Sequence, residues 1–234
     1  MLTESQKQRY TRQIALSEVG EEGQRRLSRS SVLIVGVGGL GSPIATLLAA
    51  SGVGRIGIVD FDVVSLSNLP RQTLYTTDEI GLSKVECAKR RLSAMNPDVI
   101  IESYNARFDE QMADEILARY DMVIDGCDNI ETRYLLDRVA KKAGKPYIYG
   151  AINGFVGQVS LFHYQGAGGY NDLFPEEMAI APTTPPAVMS TTPAIIGAIE
   201  ANEAIKIAIG YRDTLANKLL TFDSRDYSFA VLEI

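Results

Sequence analysis

The chain is poor in the residues that carry much familiar chemistry. It has one histidine and two cysteines in 234 residues. Cys87 and Cys127 are too few and too isolated in sequence for a disulfide framework or a four-cysteine zinc site. His163 falls inside an alternating strand pattern and reads as structural, so histidine-based acid–base catalysis has no candidate. No window reaches the roughly 18 consecutive apolar residues of a membrane span. The opening MLTESQKQRY is polar and lacks the apolar core of a signal peptide, so a cytoplasmic location is expected. Positive charge is also short. With 23 basic against 29 acidic side chains the formal charge is −6, and no basic stripe with interleaved aromatics tracks a nucleic-acid backbone. Bulk nucleic acid is therefore not expected as a partner.

What remains is ordinary globular material, 46% hydrophobic and 22% charged. Its length suits a single domain over 1–234 with one large excursion. Thr3 and Gln6 form a candidate capping box for an N-terminal helix running to about Leu16, with Arg9 and Arg12 spaced to share a face. A second short helix is expected over Glu21–Leu27. From there the periodicity alternates: a strand at Val32–Val35, a helix at Pro43–Ala50 and a strand at Ile56–Val59. Helical stretches follow near Lys84–Met95 and Asp109–Tyr120, with a β-branched run at Val99–Ile101 between them. Met122–Ile124 reads as a buried strand and Glu131–Lys142 as a helix. This grammar predicts an α/β fold, a Rossmann-like and mostly parallel sheet with helices on both faces.

Past Lys145 the pattern changes. Tyr147–Ala151 and Gln158–Tyr164 are joined by a short turn, so antiparallel strands are expected to continue the sheet. Residues 165–193, dense in Gly, Pro and Thr, form a long crossover loop of the kind that is usually functional or mobile. A helix over Ala194–Ile209, stopped by Gly210, and strands at Leu219–Phe222 and Phe229–Ile234 complete the chain. Three parts are thus expected: N-terminal helices (1–30), a nucleotide-binding part (31–145) and an antiparallel part (146–234).

The run LIVGVGGLGS raises the question of the ligand. Gly36, Gly38 and Gly41 match a dinucleotide-binding turn, and Asp60 closes the next apolar run at the right distance. A nicotinamide enzyme needs a proton donor or acceptor beside the hydride path, and His163 is poorly placed for it. The extra Gly39 brings backbone N–H groups together as a cradle for phosphate. Three later stretches then point to phosphoryl or nucleotidyl chemistry. DFDVVSLSNLPRQ supplies Asp60 as an acceptor for ribose hydroxyls, with Asp62, Ser67, Asn68 and the fixed cation Arg71 beside it. GLSKVECAK sets Lys84 at the start of a helix, where a cation is unfavourable unless an anion sits there to be bound. DGCDN ends a buried strand with carboxylates and the amide of Asn129, at the edge where open α/β sheets bind ligands. Its Asp128 is capable of holding a metal.

In the order RYTRQI, LIVGVGGLGS, DFDVVSLSNLPRQ, GLSKVE, DGCDN, the sequence resembles the HesA/MoeB/ThiF family of adenylyltransferases, relatives of the ubiquitin-activating enzymes. The resemblance runs from about Arg9 to the end. It implies ATP and magnesium as cofactors and a ubiquitin-like sulfur carrier ending in Gly-Gly as partner, with an acyl-adenylate and pyrophosphate as products. It makes Gly38 and Gly39 the backbone approach to ATP, Asp60 the ribose ligand, Asn68, Arg71 and Lys84 the phosphate-binding groups, and Asp128 the magnesium ligand with Asn129 beside it. Arg12 resembles the arginine that family members reach across a homodimer interface into the partner's site. Attack by a carboxylate needs no general base, so the shortage of histidine fits. The family's zinc-binding cysteines are missing: Gly169 and Asp172 stand in GGYNDL where the first pair would be, and no structural zinc is expected. The loop APTTPPAVMST holds no cysteine for a covalent carrier link, so the chemistry is expected to end at adenylation. In relatives the crossover passes over the incoming carrier tail. Adenylation of a peptide C-terminus or a tRNA base by the same ATP site is the alternative, and an NAD-dependent oxidoreductase the more distant one.

Overall fold

A computed structural model describes residues 1–179 and 187–234. The N-terminal segment forms α1 (Glu4–Arg9), α2 (Thr11–Ile14) and α3 (Gly20–Leu27). The capping box is present: Thr3 Oγ1 accepts from the Gln6 N–H at 3.2 Å, and the Thr3 N–H donates to Gln6 Oε1 at 2.9 Å. The single helix expected up to Leu16 is broken at Tyr10. A tertiary contact accounts for the break. Tyr10 is buried with its ring over Gly52, and its hydroxyl accepts from the Asn96 amide at 2.8 Å.

Strands and helices then alternate as β1 (Ser31–Val35), α4 (Gly41–Ser51), β2 (Arg55–Val59), α5 (Lys84–Met95), β3 (Ile100–Tyr104), α6 (Glu110–Ile116), β4 (Met122–Asp125), α7 (Ile130–Ala143) and β5 (Tyr147–Asn153). The helix expected up to Tyr120 is α-helical only to Ile116 and tightens into a 3₁₀ turn over Leu117–Arg119. β6 (Val156–Phe162) folds straight back on β5, and α8 (Tyr170–Leu173), α9 (Thr191–Ile209), β7 (Lys218–Asp223) and β8 (Ser228–Glu233) follow.

The eight strands make one sheet in the order β3-β2-β1-β4-β5-β6-β7-β8. β3 to β5 are parallel and β5 to β8 antiparallel, which is the α/β arrangement expected. Ile34 of β1 lies between Ile58 of β2 and Ile124 of β4. Alternate residues of β1 serve opposite faces. Val32 and Ile34 join Ile44 and Leu48 of α4 and Ile196 of α9 in one cluster, whereas Leu33 and Val35 join Ile116 of α6 and Leu136 of α7 in the other. Burial on both faces explains why these strands read as unbroken apolar runs.

The long loop expected over 165–193 holds more structure than its composition suggested. It contains α8, and α9 begins at Thr191, ahead of the expected Ala194. Pro193 stands in the first turn of α9, where its missing N–H would have no intrahelical partner. Residues 180–186 of the expected loop lie outside the described residues. Gly210 ends α9 in left-handed geometry at φ +81°. Among the described residues no helix is long and apolar enough to cross a membrane.

Candidate active site

In an open α/β sheet the ligand crevice forms at the carboxyl ends of the strands, where the strand order reverses. Here the chain passes from β1 outward to β2 and β3, then returns to β4 on the other side of β1. A cleft of about 940 Å³ opens at that point, lined by the ends of β1, β2 and β4 and the start of α7.

The glycine turn forms its floor. Gly36 adopts φ +91°, and a Cβ on it would lie 2.5 Å from the Gly126 carbonyl oxygen, so only bare backbone lets the turns after β1 and β4 touch. Gly39 differs. A Cβ there would meet Pro193 at 3.4 Å and Arg71 Cδ at 3.7 Å, both ordinary contacts. The fold does not demand glycine at 39, so any demand for one comes from the cleft that it lines.

Asp60, at the end of β2, is fixed by two backbone bonds. Oδ2 accepts from the Val37 N–H at 3.0 Å and Oδ1 from the Asp62 N–H at 2.9 Å. The carboxylate thus ties the second strand to the glycine turn while its remaining lone pairs stay available. Lys84 is the first residue of α5, its side chain only 5% exposed, and its Nζ donates to Asp62 Oδ2 at 2.8 Å. The anion expected at that helix start is therefore supplied by the protein itself. Arg71 is held against the loop by a bond from Nη1 to the Ser67 carbonyl oxygen at 2.9 Å, and it lines the cleft. Ser67 and Asn68 sit in a 3₁₀ turn behind it and are not part of the lining. Asn68 Oδ1 accepts from the Ser65 N–H at 3.2 Å, and the Ser65 and Ser67 hydroxyls lie 3.1 Å apart.

Two residues end the site on the β4 side. Asn129 caps α7, its Oδ1 accepting from the Thr132 N–H at 2.9 Å. Asp128 is exposed at the cleft and has no side-chain partner among the described residues. Arg12, on α2, is also exposed and lies outside this cleft. The structure therefore gathers Gly38, Gly39, Asp60, Asp62, Arg71, Lys84, Asp128 and Asn129, and leaves Ser67, Asn68 and Arg12 apart from them.

Sequence reasoning missed a further charge pair. Asp125, fully buried at the end of β4, accepts from Arg133 Nε at 3.1 Å and from the Tyr147 hydroxyl at 3.2 Å. Its other oxygen takes the Cys127 N–H at 2.9 Å and the Cys127 thiol at 2.7 Å. Burial, reinforced by the Asp125 carboxylate, pushes the Cys127 thiol well above its ordinary pKa, which makes it a poor nucleophile. Arg133 also donates to the Cys127 and Gly150 carbonyls at 3.4 and 3.5 Å, and it lines the cleft. Asp125 and Arg133 stand eight residues apart, one at a strand end and the other in the first turn of α7, and no spacing in the sequence signals the pair.

The residues present fit a nucleotide phosphate. The lining carries five basic side chains (Arg71, Lys84, Arg107, Arg133, Arg138) against four acidic ones (Asp60, Asp62, Asp128, Glu131), in a chain whose net charge is −6. Among the described residues no three His, Cys, Asp or Glu side chains are grouped to hold a metal on their own. A single carboxylate is nonetheless what magnesium commonly uses when substrate phosphates and water complete its shell.

Comparison with known proteins identifies the family. Residues 10–234 match the ThiF family. The chain is 43% identical to the sulfur carrier protein adenylyltransferase of Thermus thermophilus, over 99% of this chain and 89% of that protein. It is 43% identical to a probable molybdopterin-synthase adenylyltransferase of Porphyra purpurea and 38% identical to the probable adenylyltransferase/sulfurtransferase MoeZ of Mycobacterium tuberculosis, covering 97% of this chain in each. It spans only 60% and 59% of those two proteins. Among solved structures, PaaA superposes with a TM-score of 0.85 at 26% identity, over 100% of this chain and 75% of that one. MccB of E. coli, crystallised with ATP, shares the fold with a TM-score of 0.82 at 22% identity, over 96% of this chain and 71% of that one.

Proposed function

The chain belongs to the ThiF family of adenylyltransferases, and from that premise we propose that it uses ATP to adenylate the C-terminal Gly-Gly carboxylate of a small ubiquitin-like sulfur-carrier protein, in molybdopterin, thiamine or related sulfur-transfer biosynthesis. The observation that carries the reading is the convergence of Asp60, Arg71, Lys84 and Asp128 on one cleft around the glycine turn. The carrier carboxylate attacks the α-phosphorus, the bond to the β-phosphate breaks, and acyl-adenylate and pyrophosphate leave. A carboxylate is ionised at neutral pH, so no proton has to be removed. The obstacle is repulsion between two anions, and fixed cations and backbone N–H dipoles offset it without reorganising. Arg71 and Lys84 bind the phosphates, Gly38 and Gly39 give them backbone access, and Asp60 holds the ribose. Magnesium bound with ATP would offset further phosphate charge, with Asp128 as the carboxylate that holds it. Ser67 and Asn68 support Arg71 from behind. Arg12 points to a homodimer in which each subunit completes its partner's site.

The test is exchange of labelled pyrophosphate into ATP, with and without carriers ending in Gly-Gly. Carrier-dependent exchange is expected, and no ATP binding beside tight NAD binding would overturn the reading. Lys84→Ala and Asp128→Ala should each abolish exchange with near wild-type unfolding curves. Mixing Arg12→Ala with Asp128→Ala subunits should restore part of the activity if sites are shared, and no recovery would count against sharing.

A further inference from the structure

A backbone cradle for phosphate works only if the peptide groups of the glycine turn face the right way. Val37 lies between Gly36 and Gly38, fully buried, and among the described residues side chains hold both of its polar groups. Its N–H donates to Asp60 Oδ2 at 3.0 Å. Its carbonyl oxygen takes two hydroxyls, from Tyr75 at 2.8 Å and from Ser42 of α4 at 3.3 Å, which occupies both lone pairs. The next carbonyl, that of Gly38, accepts from the Ser42 N–H at 3.0 Å. Among the described residues the Gly38 and Gly39 N–H groups have no acceptor, and both residues line the cleft. A trans peptide is planar, so a carbonyl drawn to one side sends the following N–H to the other. By holding the Val37 oxygen in the interior, the two hydroxyls turn the Gly38 N–H toward the cleft.

Packing accounts for the ring of Tyr75 but not for its hydroxyl. The ring is buried in one cluster with Val64 and Leu92, a space phenylalanine would fill as well, and the hydroxyl spends its proton on Val37. Burial, with the Asp60 carboxylate nearby, pushes the phenol pKa up, so the group stays a donor. Tyr75 also follows Arg71 by four residues, on the same loop. We propose that Tyr75 is a positioning residue for the nucleotide phosphates: its hydroxyl fixes the Val37 peptide so that the Gly38 N–H is presented to the triphosphate, and it ties the glycine turn to the loop that carries Arg71. The inference rests on the adenylation reading and adds to it the group that sets the cradle before ATP arrives. Donors fixed in advance need no reorganisation when charge reaches them. Without the Tyr75 hydroxyl, the longer Ser42 bond is left to hold the carbonyl.

Titration calorimetry of the intact protein with ATP and with inorganic tripolyphosphate tests the assignment. Tyr75→Phe keeps the ring and should raise the Kd for both probes by the same factor, about tenfold. NMR of protein labelled with nitrogen-15 glycine supplies a readout that a packing role would not move: saturating tripolyphosphate should displace the Gly38 amide resonance less in Tyr75→Phe than in wild type. Ser42→Ala removes the weaker donor and should repeat the pattern at about threefold, and it carries the test alone if Tyr75→Phe does not fold. Wild-type affinity for tripolyphosphate in the folded variants, a loss confined to ATP, or an undiminished Gly38 displacement would each overturn the positioning role while leaving adenylation standing. A wild-type protein that binds neither probe would overturn the adenylation reading itself.

Discussion

Glu200 of α9 is fully buried, and among the described residues neither carboxyl oxygen has a hydrogen-bond partner. It packs against Gly150 of β5, where a Cβ would collide with the carboxyl. Burial, aided by the nearby Asp125 carboxylate and only partly opposed by Arg133, pushes its pKa well above the ordinary glutamate value. Glu200 therefore keeps its proton to higher pH in the folded protein than in the unfolded chain, which ionises above about pH 4.5. The sign follows from linkage: the contribution of this group is fully present below about pH 4.5 and is lost as pH rises toward the folded-state pKa. The loss is about 1.4 kcal/mol per pH unit over that interval. Glu200→Gln keeps the shape and removes the titration. Urea unfolding of both proteins between pH 6 and 8.5 should show the variant more stable, by a margin growing about 1.4 kcal/mol per unit until it levels off at the folded-state pKa. A variant no more stable than wild type, or a margin independent of pH, would refute the reasoning.

Arg133→Met should destabilise the fold by about 3–5 kcal/mol in urea, because Asp125 is left charged and buried. Adding Asp125→Asn should recover part of that loss, and a single-variant effect under about 1 kcal/mol would show that the pair does not hold this corner. Asp137 of α7 accepts from His163 Nε2 at 2.8 Å and from the Tyr170 and Asn171 N–H groups at 2.6 and 3.2 Å. Burial alone would raise its pKa, but these bonds outweigh it and hold the value below the ordinary aspartate range. Its stabilisation is therefore present above about pH 4 and lost as pH falls through the lowered value. Asp137→Ala, which removes both acceptors, should abolish hydrogen-exchange protection of the Tyr170 and Asn171 amides at neutral pH while leaving β1 unchanged; retained protection would place the anchor elsewhere.

Much of the parallel half of the sheet was legible because strands buried on both faces leave a mark that needs no partner. Val32–Val35 and Met122–Ile124 are such runs, and glycines and carboxylates at their ends located the crevice. Where a tertiary contact overrules a local pattern, legibility fails. Tyr10 breaks a helix whose capping box was correctly read, because its ring has Gly52 and Asn96 to meet. Pro193 looked like the end of a loop and stands inside a helix. In the site, Asp60, Lys84 and Asp128 could be found because each sits at the boundary of an element. Glu200 and Glu203 look like solvent-facing residues of α9, yet both are buried. Glu203 is satisfied by Lys206 and the Leu215 N–H, each at 2.7 Å, and Glu200 by neither. No spacing within GAIEANEAIK reports which acid meets β5 and which meets the turn before β7.

The two most buried cations of the cleft, Lys84 and Arg133, are both paired in advance, and the pairs differ in a way that bears on catalysis. Asp125 is fully buried, with both oxygens engaged, so releasing Arg133 would strand a charge in the interior. Arg133 is scaffold. Asp62, by contrast, is 52% exposed while its partner Lys84 is 5% exposed. A triphosphate presents more negative charge than one carboxylate, and if Lys84 turns to it, Asp62 returns to water at little cost. Lys84 has already been desolvated during folding, so in its proposed role its field would act on an arriving phosphate without the dehydration that a solvated lysine would first undergo. The carboxylate that neutralises the cleft when empty is thus also the one it can release when filled.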